Sequence, residues 1–141
     1  LGLRHTRDSS EDADVYFAGW VKKIEFVIAG LDVVALTSKN EGTPVSLIEA
    51  QAGERPIVST RVGGIEDVVL PGKSALLSDP QDLKTFQQNL LRVVDDENLR
   101  AGLGVAGSDF VRQKFHFGRL IDDFAALYDR LQEEHREQSK K

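Results

Sequence analysis

The stretch that decides the fold is DVVALTSKNEGTPVSLIEA, residues 32–50. Its first part, Asp32 to Leu36, is apolar and β-branched and leads into a polar turn, which is typical of a buried strand. Thr43 then offers a favourable N-cap, and Pro44 suits the first position of a helix because it has no N–H to leave unpaired there. The stretch therefore predicts a strand, a turn and a helix in direct succession, with the helix ending near Ala52.

The alternation of strands and helices continues on both sides of this stretch. Further strands are predicted at residues 15–18, 55–60 and 75–77, and further helices at residues 22–29 and 65–70. From Asp79 onward three apolar stripes predict three helices, followed by a polar tail, EEHREQSKK, that is expected to fray. Because the predicted strands are apolar throughout, they favour an α/β fold with a parallel sheet covered by helices on both faces.

The composition is that of a globular protein with one domain. The chain has 141 residues, enough to bury a core, and its 40% hydrophobic and 29% charged residues set it apart from disordered and membrane proteins. A net charge of −5 and scattered Lys and Arg residues argue against nucleic acid as a partner. Cysteine is absent, which fits a reducing compartment, and we therefore expect a cytoplasmic location.

The start of the chain has the character of an interrupted element. Methionine is absent even at position 1, which indicates a processed chain or a piece of a longer protein. We interpret residues 1–13 as the residual end of a truncated element, residues 14–131 as the domain, and residues 132–141 as a polar tail.

Two glutamates flank the beginning of the predicted central helix, at the edge of the sheet where parallel α/β folds bind ligands. Glu41 precedes the first helical turn, whose free backbone N–H groups suit an anion or sugar oxygens, and Gly42 allows a ligand close to the backbone. Glu41 could accept hydrogen bonds from ligand hydroxyls, or it could only offset the helix dipole. Glu49 lies one turn further on, among apolar neighbours that suggest burial. A pair of ligand hydroxyls such as those of a ribose, exposure to solvent, or a salt bridge to Arg61 would each satisfy Glu49.

Other candidate features favour ordinary structural roles. The Val62-Gly63-Gly64 turn could admit a ligand, although two glycines more often serve only the turn. Trp20 could stack on a base, but packing in the core is the favoured interpretation. The three histidines lack metal-ligand spacing, and dinucleotide, P-loop and serine-hydrolase motifs are absent from the sequence.

Residues 17–77, from FAGWV to KSALL, carry the resemblance to a known family. They contain, in order, Phe-x-Gly-x-Val, Ser-x-x-Glu-Gly-x-Pro, a second Glu seven residues after the first, Pro-x-Val and Val-Gly-Gly. In order and spacing these blocks resemble the nucleotide-sugar-binding half of the retaining GT-B glycosyltransferases of group 1. The resemblance covers about residues 14–131 and implies a Rossmann-like parallel sheet with C-terminal helices, one half of a GT-B fold that is truncated at its N-terminus.

The resemblance implies a role for each glutamate. Glu49 corresponds to the residue that holds the ribose hydroxyls, and Glu41 to the catalytic residue that faces the transferred sugar. Backbone groups around the start of the helix are expected to meet sugar and diphosphate oxygens, and the loop before the first helix is expected to meet the base. The binding residues implied are Gly42, Thr43, Pro44, Val45, Glu49, Trp20 and Val21.

The implied reaction is transfer of a sugar from a nucleotide sugar to a saccharide, lipid or other acceptor. Stabilisation of the departing diphosphate would drive it, with retention of configuration and without a cofactor, a metal or an obligatory protein nucleophile. The family's diphosphate-binding Arg and Lys and its acceptor domain lie upstream of this chain, so the chain alone is expected to be inactive. Membrane-surface association is expected only through that missing part.

Two departures and two alternatives accompany this interpretation. Residues 53–56, Gly-Glu-Arg-Pro, stand where the family usually has Cys or Ala, then Gly, before Lys or Leu and Pro, so a different shape is expected at this helix end. An isomerase related to nucleotide-sugar epimerases, or a non-catalytic nucleotide-binding module of the same fold, would also account for the pattern.

Overall fold

The structure, a computed structural model, describes residues 4–7 and 14–138, with side chains from residue 15 onward. The strands are β1 (Arg4–Arg7), β2 (Asp14–Phe17), β3 (Val34–Leu36), β4 (Ile57–Thr60) and β5 (Ala75–Ser78). The helices are α1 (Ile24–Ala29), α2 (Val45–Ala52), α3 (Ile65–Val68), α4 (Leu83–Asp95), α5 (Glu97–Lys114) and α6 (Phe117–Gln138).

A three-stranded parallel sheet, with β4 between β3 and β5, forms the centre of the fold. All four residues of β4 are buried, because helices cover the sheet on both faces. On one face Ile57 belongs to a core cluster with α2 and α3, and on the other Val58 packs with Val93 of α4 and Leu103 of α5. The predicted α/β class and parallel sheet are confirmed.

Strand β2 differs from the prediction for residues 15–18. It pairs antiparallel with β1 rather than with the central sheet. Val15, Tyr16 and Phe17 are 44–58% exposed, so the prediction of a buried strand was wrong. The physical reason is that an apolar run is buried only where helices or strands cover it, and β2 belongs to a separate two-stranded sheet.

Trp20 is 86% exposed, so its predicted packing in the core was also wrong. It follows Gly19, whose φ of 61° turns the chain in the loop between β2 and α1, outside the two core clusters. The size and apolar character of the indole predicted its burial. The path of the loop, however, places the side chain in solvent.

The boundaries of several helices differ from those predicted. Helix α1 begins at Ile24 rather than at residue 22, and α3 ends at Val68 rather than at residue 70. Helix α2 begins at Val45 rather than at the predicted Pro44, because Pro44 has an extended conformation (ψ 95°) and stands at the N-cap in place of Thr43. Helix α6 continues through the polar tail to Gln138, because glutamate, glutamine and arginine are good helix formers. Among the residues described, no helix is both long and apolar enough to cross a membrane.

The C-terminal end of α2 is closed by a Schellman arrangement. The Arg55 N–H donates to the Ala50 carbonyl (2.9 Å) and the Glu54 N–H to the Gln51 carbonyl (3.0 Å), with Glu54 at φ 58°. Residue 54 is the position at which the resembling family has glycine. The helix end therefore has a backbone shape that favours glycine, and Glu54 adopts this shape although it carries a Cβ.

Helix α5 packs closely on this end of α2. A Cβ on Gly104 would overlap the Glu54 carbonyl oxygen, and one on Gly107 would lie 2.9 Å from the Gln51 side chain. Gln51 is fully buried; its amide donates to the Val68 carbonyl (2.7 Å) and accepts from the Ser74 hydroxyl (2.8 Å). The glycines of α5 thus allow the contact that anchors α2 against the rest of the domain.

Candidate functional site

The candidate site lies where β3 and β4 end and the loops after them meet. The Thr60 hydroxyl, on the last residue of β4, donates to the Ser38 carbonyl in the β3–α2 loop at 2.7 Å. The Gly64 N–H, in the β4–α3 loop, donates to the carbonyls of both Glu41 (3.3 Å) and Gly42 (3.1 Å). These bonds hold the two loops against each other at the edge of the sheet where parallel α/β folds bind ligands.

The glycine pair in the β4–α3 loop makes this approach possible. Gly63 has a φ of 51°, and a Cβ there would overlap the Glu41 carbonyl oxygen. A Cβ on Gly64 would overlap the Gly42 carbonyl oxygen. The favoured prediction was that the two glycines only allow their own turn. In the structure they also allow the β4–α3 loop to contact the backbone of the β3–α2 loop.

Glu41 is half-buried and fixed by Ser38, the first residue of the Ser-x-x-Glu-Gly-x-Pro block, to which the sequence assigned no role. The Ser38 hydroxyl donates to Glu41 Oε1 at 2.5 Å, the short distance expected when a hydroxyl meets a carboxylate. Within the described part of the chain, Glu41 Oε2 has no hydrogen-bonding partner. Glu41 can therefore accept a hydrogen bond from a ligand through this second oxygen.

The start of α2 is open, in contrast to the starts of α4 and α5. No side chain caps α2, whereas Asp82 accepts from the Thr85 N–H in α4 and Asp96 from the Leu99 N–H in α5. Pro44 is buried, but Gly42, Thr43, Val45 and Ser46 are exposed. The first backbone N–H groups of α2 are consequently available to a ligand anion or to sugar oxygens.

Glu49 is half-buried on α2 rather than fully enclosed. It lines a groove of about 460 Å³ between α1 and α2. The predicted alternative of a salt bridge to Arg61 was wrong, because Arg61 pairs with Glu66. Among the described residues, the Glu49 carboxylate has neither a hydrogen bond nor an ion pair, so both of its oxygens are free for a ligand.

Both sides of the groove combine apolar and charged side chains, and Glu25 of α1 lies across it from α2. Its lining includes Ile24, Ile28 and Ala29 of α1, and Glu49, Ala52 and Arg55 on and after α2. Gly53 brings the helices close here, since a Cβ on it would lie 2.6 Å from the Ile28 side chain. Apolar surface beside a free carboxylate is suited to a ligand with a ring and hydroxyl groups.

The structure brings some of the predicted site residues together but not all of them. Glu41 and residues 42–45 surround the start of α2, and Glu49 lies one turn further on. Trp20 and Val21 lie in the loop before α1, and no described contact joins them to either glutamate. In the described part of the chain, no group of three His, Cys, Asp or Glu side chains could hold a metal ion.

Comparisons with known proteins identify longer relatives. The family model for "Glycosyl transferases group 1" matches residues 3–96. D-inositol 3-phosphate glycosyltransferase from Corynebacterium jeikeium is 40% identical over 74% of this chain and 25% of its own length. N-acetyl-alpha-D-glucosaminyl L-malate synthase from Bacillus anthracis is 26% identical over 81% of this chain and 30% of its own length.

A solved structure shows the same fold. HepE from Anabaena, in complex with UDP, has a TM-score of 0.75 to this chain at 22% identity, covering 80% of this chain and 31% of HepE. The chain thus spans only about a quarter to a third of the length of these relatives.

Proposed function

The chain belongs to the glycosyl transferases group 1 family, and on this premise we propose that it is the donor-binding part of a retaining glycosyltransferase. The complete enzyme would move a sugar, of the hexose type, from a nucleotide sugar to a saccharide, lipid or other acceptor. The cytoplasmic location remains a prediction.

One observation supports the proposal above the others. Helix α2 begins without a side-chain cap, and two glutamates beside its first turns have carboxylate oxygens with no partner in the described part of the chain. Free N–H groups attract phosphate and sugar oxygens, whereas free carboxylates attract hydroxyls. A nucleotide sugar presents both kinds of group at once.

The proposed roles follow from this arrangement. Glu49 would accept hydrogen bonds from the two ribose hydroxyls, with the base directed along the groove toward α1 and the loop that holds Trp20 and Val21. Glu41 would accept from a hydroxyl of the transferred sugar through Oε2. The backbone from Gly42 to Val45 would hold sugar and diphosphate oxygens.

Catalysis would be electrostatic. When the bond between the sugar and the diphosphate breaks, negative charge grows on the departing phosphate oxygens, and N–H groups already in place stabilise it. We propose retention of configuration without an obligatory protein nucleophile, and without a cofactor or metal. The family's diphosphate-binding cations and acceptor domain are not among these residues, so we expect no transfer by the chain alone.

The relatives support a nucleotide sugar as donor. HepE from Anabaena is solved with UDP, and again with UDP and glucose. The acceptor of this protein would be bound by the remainder of the enzyme, which would also account for any association with a membrane surface.

The proposal is tested by titrating the chain with UDP, GDP, ADP and their sugar conjugates while recording amide chemical shifts. One base should shift amides at residues 19–21 and 41–49. Glu49→Gln, which keeps the shape but removes the charge, should weaken that nucleotide about tenfold, because bonds to an ionised acceptor are the stronger ones.

Glu25→Gln is the matched control, because Glu25 also lines the groove but on the α1 side. Because Glu25→Gln changes the net charge of the groove without removing the proposed ribose contact, it should change the affinity for the nucleotide only slightly. Equal losses in both variants, or no nucleotide binding at millimolar concentration, would contradict the proposed site. Conversion of the donor to its epimer by the complete protein without acceptor would instead favour an isomerase.

A further inference from the structure

We infer that Ser38 is a positioning residue for the Glu41 carboxylate, and that Thr60 positions Ser38 in turn. The inference rests on the proposed function, in which Glu41 faces the transferred sugar. It adds two residues, one in the β3–α2 loop and one at the end of β4.

The first step is the bond between Ser38 and Glu41. The Ser38 hydroxyl donates to Oε1 at 2.5 Å, which is the strong, charge-assisted type of hydrogen bond. A glutamate side chain has three rotatable bonds and is otherwise free to point into solvent. Holding one carboxylate oxygen fixes where the other lies, so Ser38 decides where a sugar hydroxyl would meet Oε2.

The second step is the bond between Thr60 and the Ser38 backbone. Register pairs join β3 to β4 only as far as Leu36 and Ser59. One residue further along β4, the Thr60 hydroxyl reaches the Ser38 carbonyl at 2.7 Å. Thr60 is 7% exposed, so the donor side of this bond is buried, and the bond ties the β3–α2 loop to the centre of the sheet.

The two bonds form one path from the sheet to the site. The buried Thr60 holds the Ser38 backbone, and the Ser38 side chain holds Glu41. Side chains on strands are held in position more precisely than side chains on loops. Through these two bonds the position of the Glu41 carboxylate, although it lies on a loop, is set by strand β4.

The ligand-free test measures the order of the Glu41 side chain by ¹³C relaxation in the whole 141-residue chain. In Ser38→Ala, we expect the order of Glu41 to fall to that of the exposed Glu97. Ser38→Thr keeps the hydroxyl and should restore it, and Thr37→Ala, a change at the neighbouring exposed residue, should leave it unaltered. Equal order of Glu41 in wild type and Ser38→Ala would overturn the inference.

Thr60 is tested by the same measurement. Thr60→Val has the same shape but no donor, so the order of Glu41 should fall part of the way, while Thr60→Ser should retain it. An unaltered Glu41 in a folded Thr60→Val variant would remove Thr60 from the path.

The ligand test compares the affinities for UDP-glucose and UDP. In Ser38→Ala, UDP should bind as it does to wild type, whereas UDP-glucose should bind about tenfold more weakly. A general loosening of the structure would weaken both ligands alike, so the ratio of the two affinities separates positioning from stability.

Glu41→Gln separates the inference from the proposed function. If Glu41→Gln leaves the ratio of affinities unaltered, the proposed contact between Glu41 and the sugar is wrong. If Glu41→Gln lowers the ratio and Ser38→Ala does not, the proposed function stands and the positioning role of Ser38 is wrong.

Discussion

The two ends of α2 are built in opposite ways. At its start no side chain caps the helix, Val45 and Ser46 are exposed, and Glu41, with one carboxylate oxygen unpaired among the described residues, lies nearby. At its end, Schellman hydrogen bonds satisfy the last carbonyls and α5 covers the turn at Glu54. The difference shows how a helix of eight residues can serve both purposes: its end carries the packing, which leaves its start free for a ligand.

The largest expected effect is on the closed end. Gly104→Ala would place a Cβ over the Glu54 carbonyl oxygen, a backbone atom that cannot move aside alone. We expect the free energy of unfolding to fall by about 3 kcal/mol, measured by urea denaturation. Gly102→Ala is the matched control, because that position has no neighbour within 4 Å and should gain up to ~1 kcal/mol from helix propensity. Similar effects of both variants would contradict close packing of α5 on α2.

The next effect is on the open end. In Gly63→Ala, the new Cβ would overlap the Glu41 carbonyl oxygen, and the residue would need a positive φ. We expect a loss of about 2 kcal/mol on urea denaturation, less than at Gly104 because a surface loop can shift. Binding of the nucleotide identified in the titration should also be lost.

Gly42→Ala is the control for the open end. No atom lies within 4 Å of a Cβ at this position, so stability should be unaltered while a ligand is kept from the backbone. If Gly42→Ala binds the nucleotide as wild type does, the ligand does not approach that backbone.

A smaller effect of opposite sign is expected from Glu54→Gly. The αL conformation of Glu54, with φ 58°, is costly for a residue with a Cβ but not for glycine. The free energy of unfolding should rise by about 1 kcal/mol on urea denaturation. Glu54→Ala removes the charge but keeps the Cβ, so the free energy of unfolding should not rise comparably. An equal rise in Glu54→Ala would show that the glutamate is unfavourable because of its charge and not because of its backbone conformation.

The smallest effect concerns the capped start of α4, the counterpart of the open start of α2. The Thr85 backbone N–H, and then its hydroxyl, hold the pKa of the Asp82 carboxyl below its ordinary value of 3.8. Because the folded-state pKa is lowered, this stabilisation is present above that value and is lost as pH falls through the folded-state pKa.

Asp82→Asn keeps the cap but cannot titrate, so it is the reference for this effect. From about pH 6 to about pH 3, wild type should lose stability relative to Asp82→Asn in urea denaturation. Parallel curves for the two proteins would show that the cap does not depend on the charge.

The central fold could be predicted from the sequence because its signals are local. The runs that became β3, β4 and β5 are apolar, and they end at turns marked by Gly, Pro or polar residues. The residues before α1 could not be predicted in the same way. Tyr16 and Trp20 have large, largely apolar side chains of the kind found in protein cores, but they are exposed. The residue type alone does not indicate whether another element covers a side chain.

The candidate site could be predicted in its parts but not in its assembly. Glu41 and Glu49 follow from their spacing around the start of α2. Ser38 begins the Ser-x-x-Glu-Gly-x-Pro block but was given no role, and Thr60 was missed, because their link joins the β3–α2 loop to the end of β4. Only the register of the sheet shows that Thr60 extends beyond the end of β3. A hydroxyl three residues before Glu41, and another at the end of the next strand, are the signals that could have found them.

The contact between Thr60 and Ser38 also has a consequence for the order of folding. It closes a loop of only 22 residues within one strand–helix–strand unit, whereas the contact of Gly104 with Glu54 joins segments much further apart along the chain. Short loops cost less entropy to close and tend to form first. We therefore expect the β3–α2–β4 unit, which positions Glu41 and Glu49, to form early in folding. Helix α5 would pack on this unit later and stabilise it.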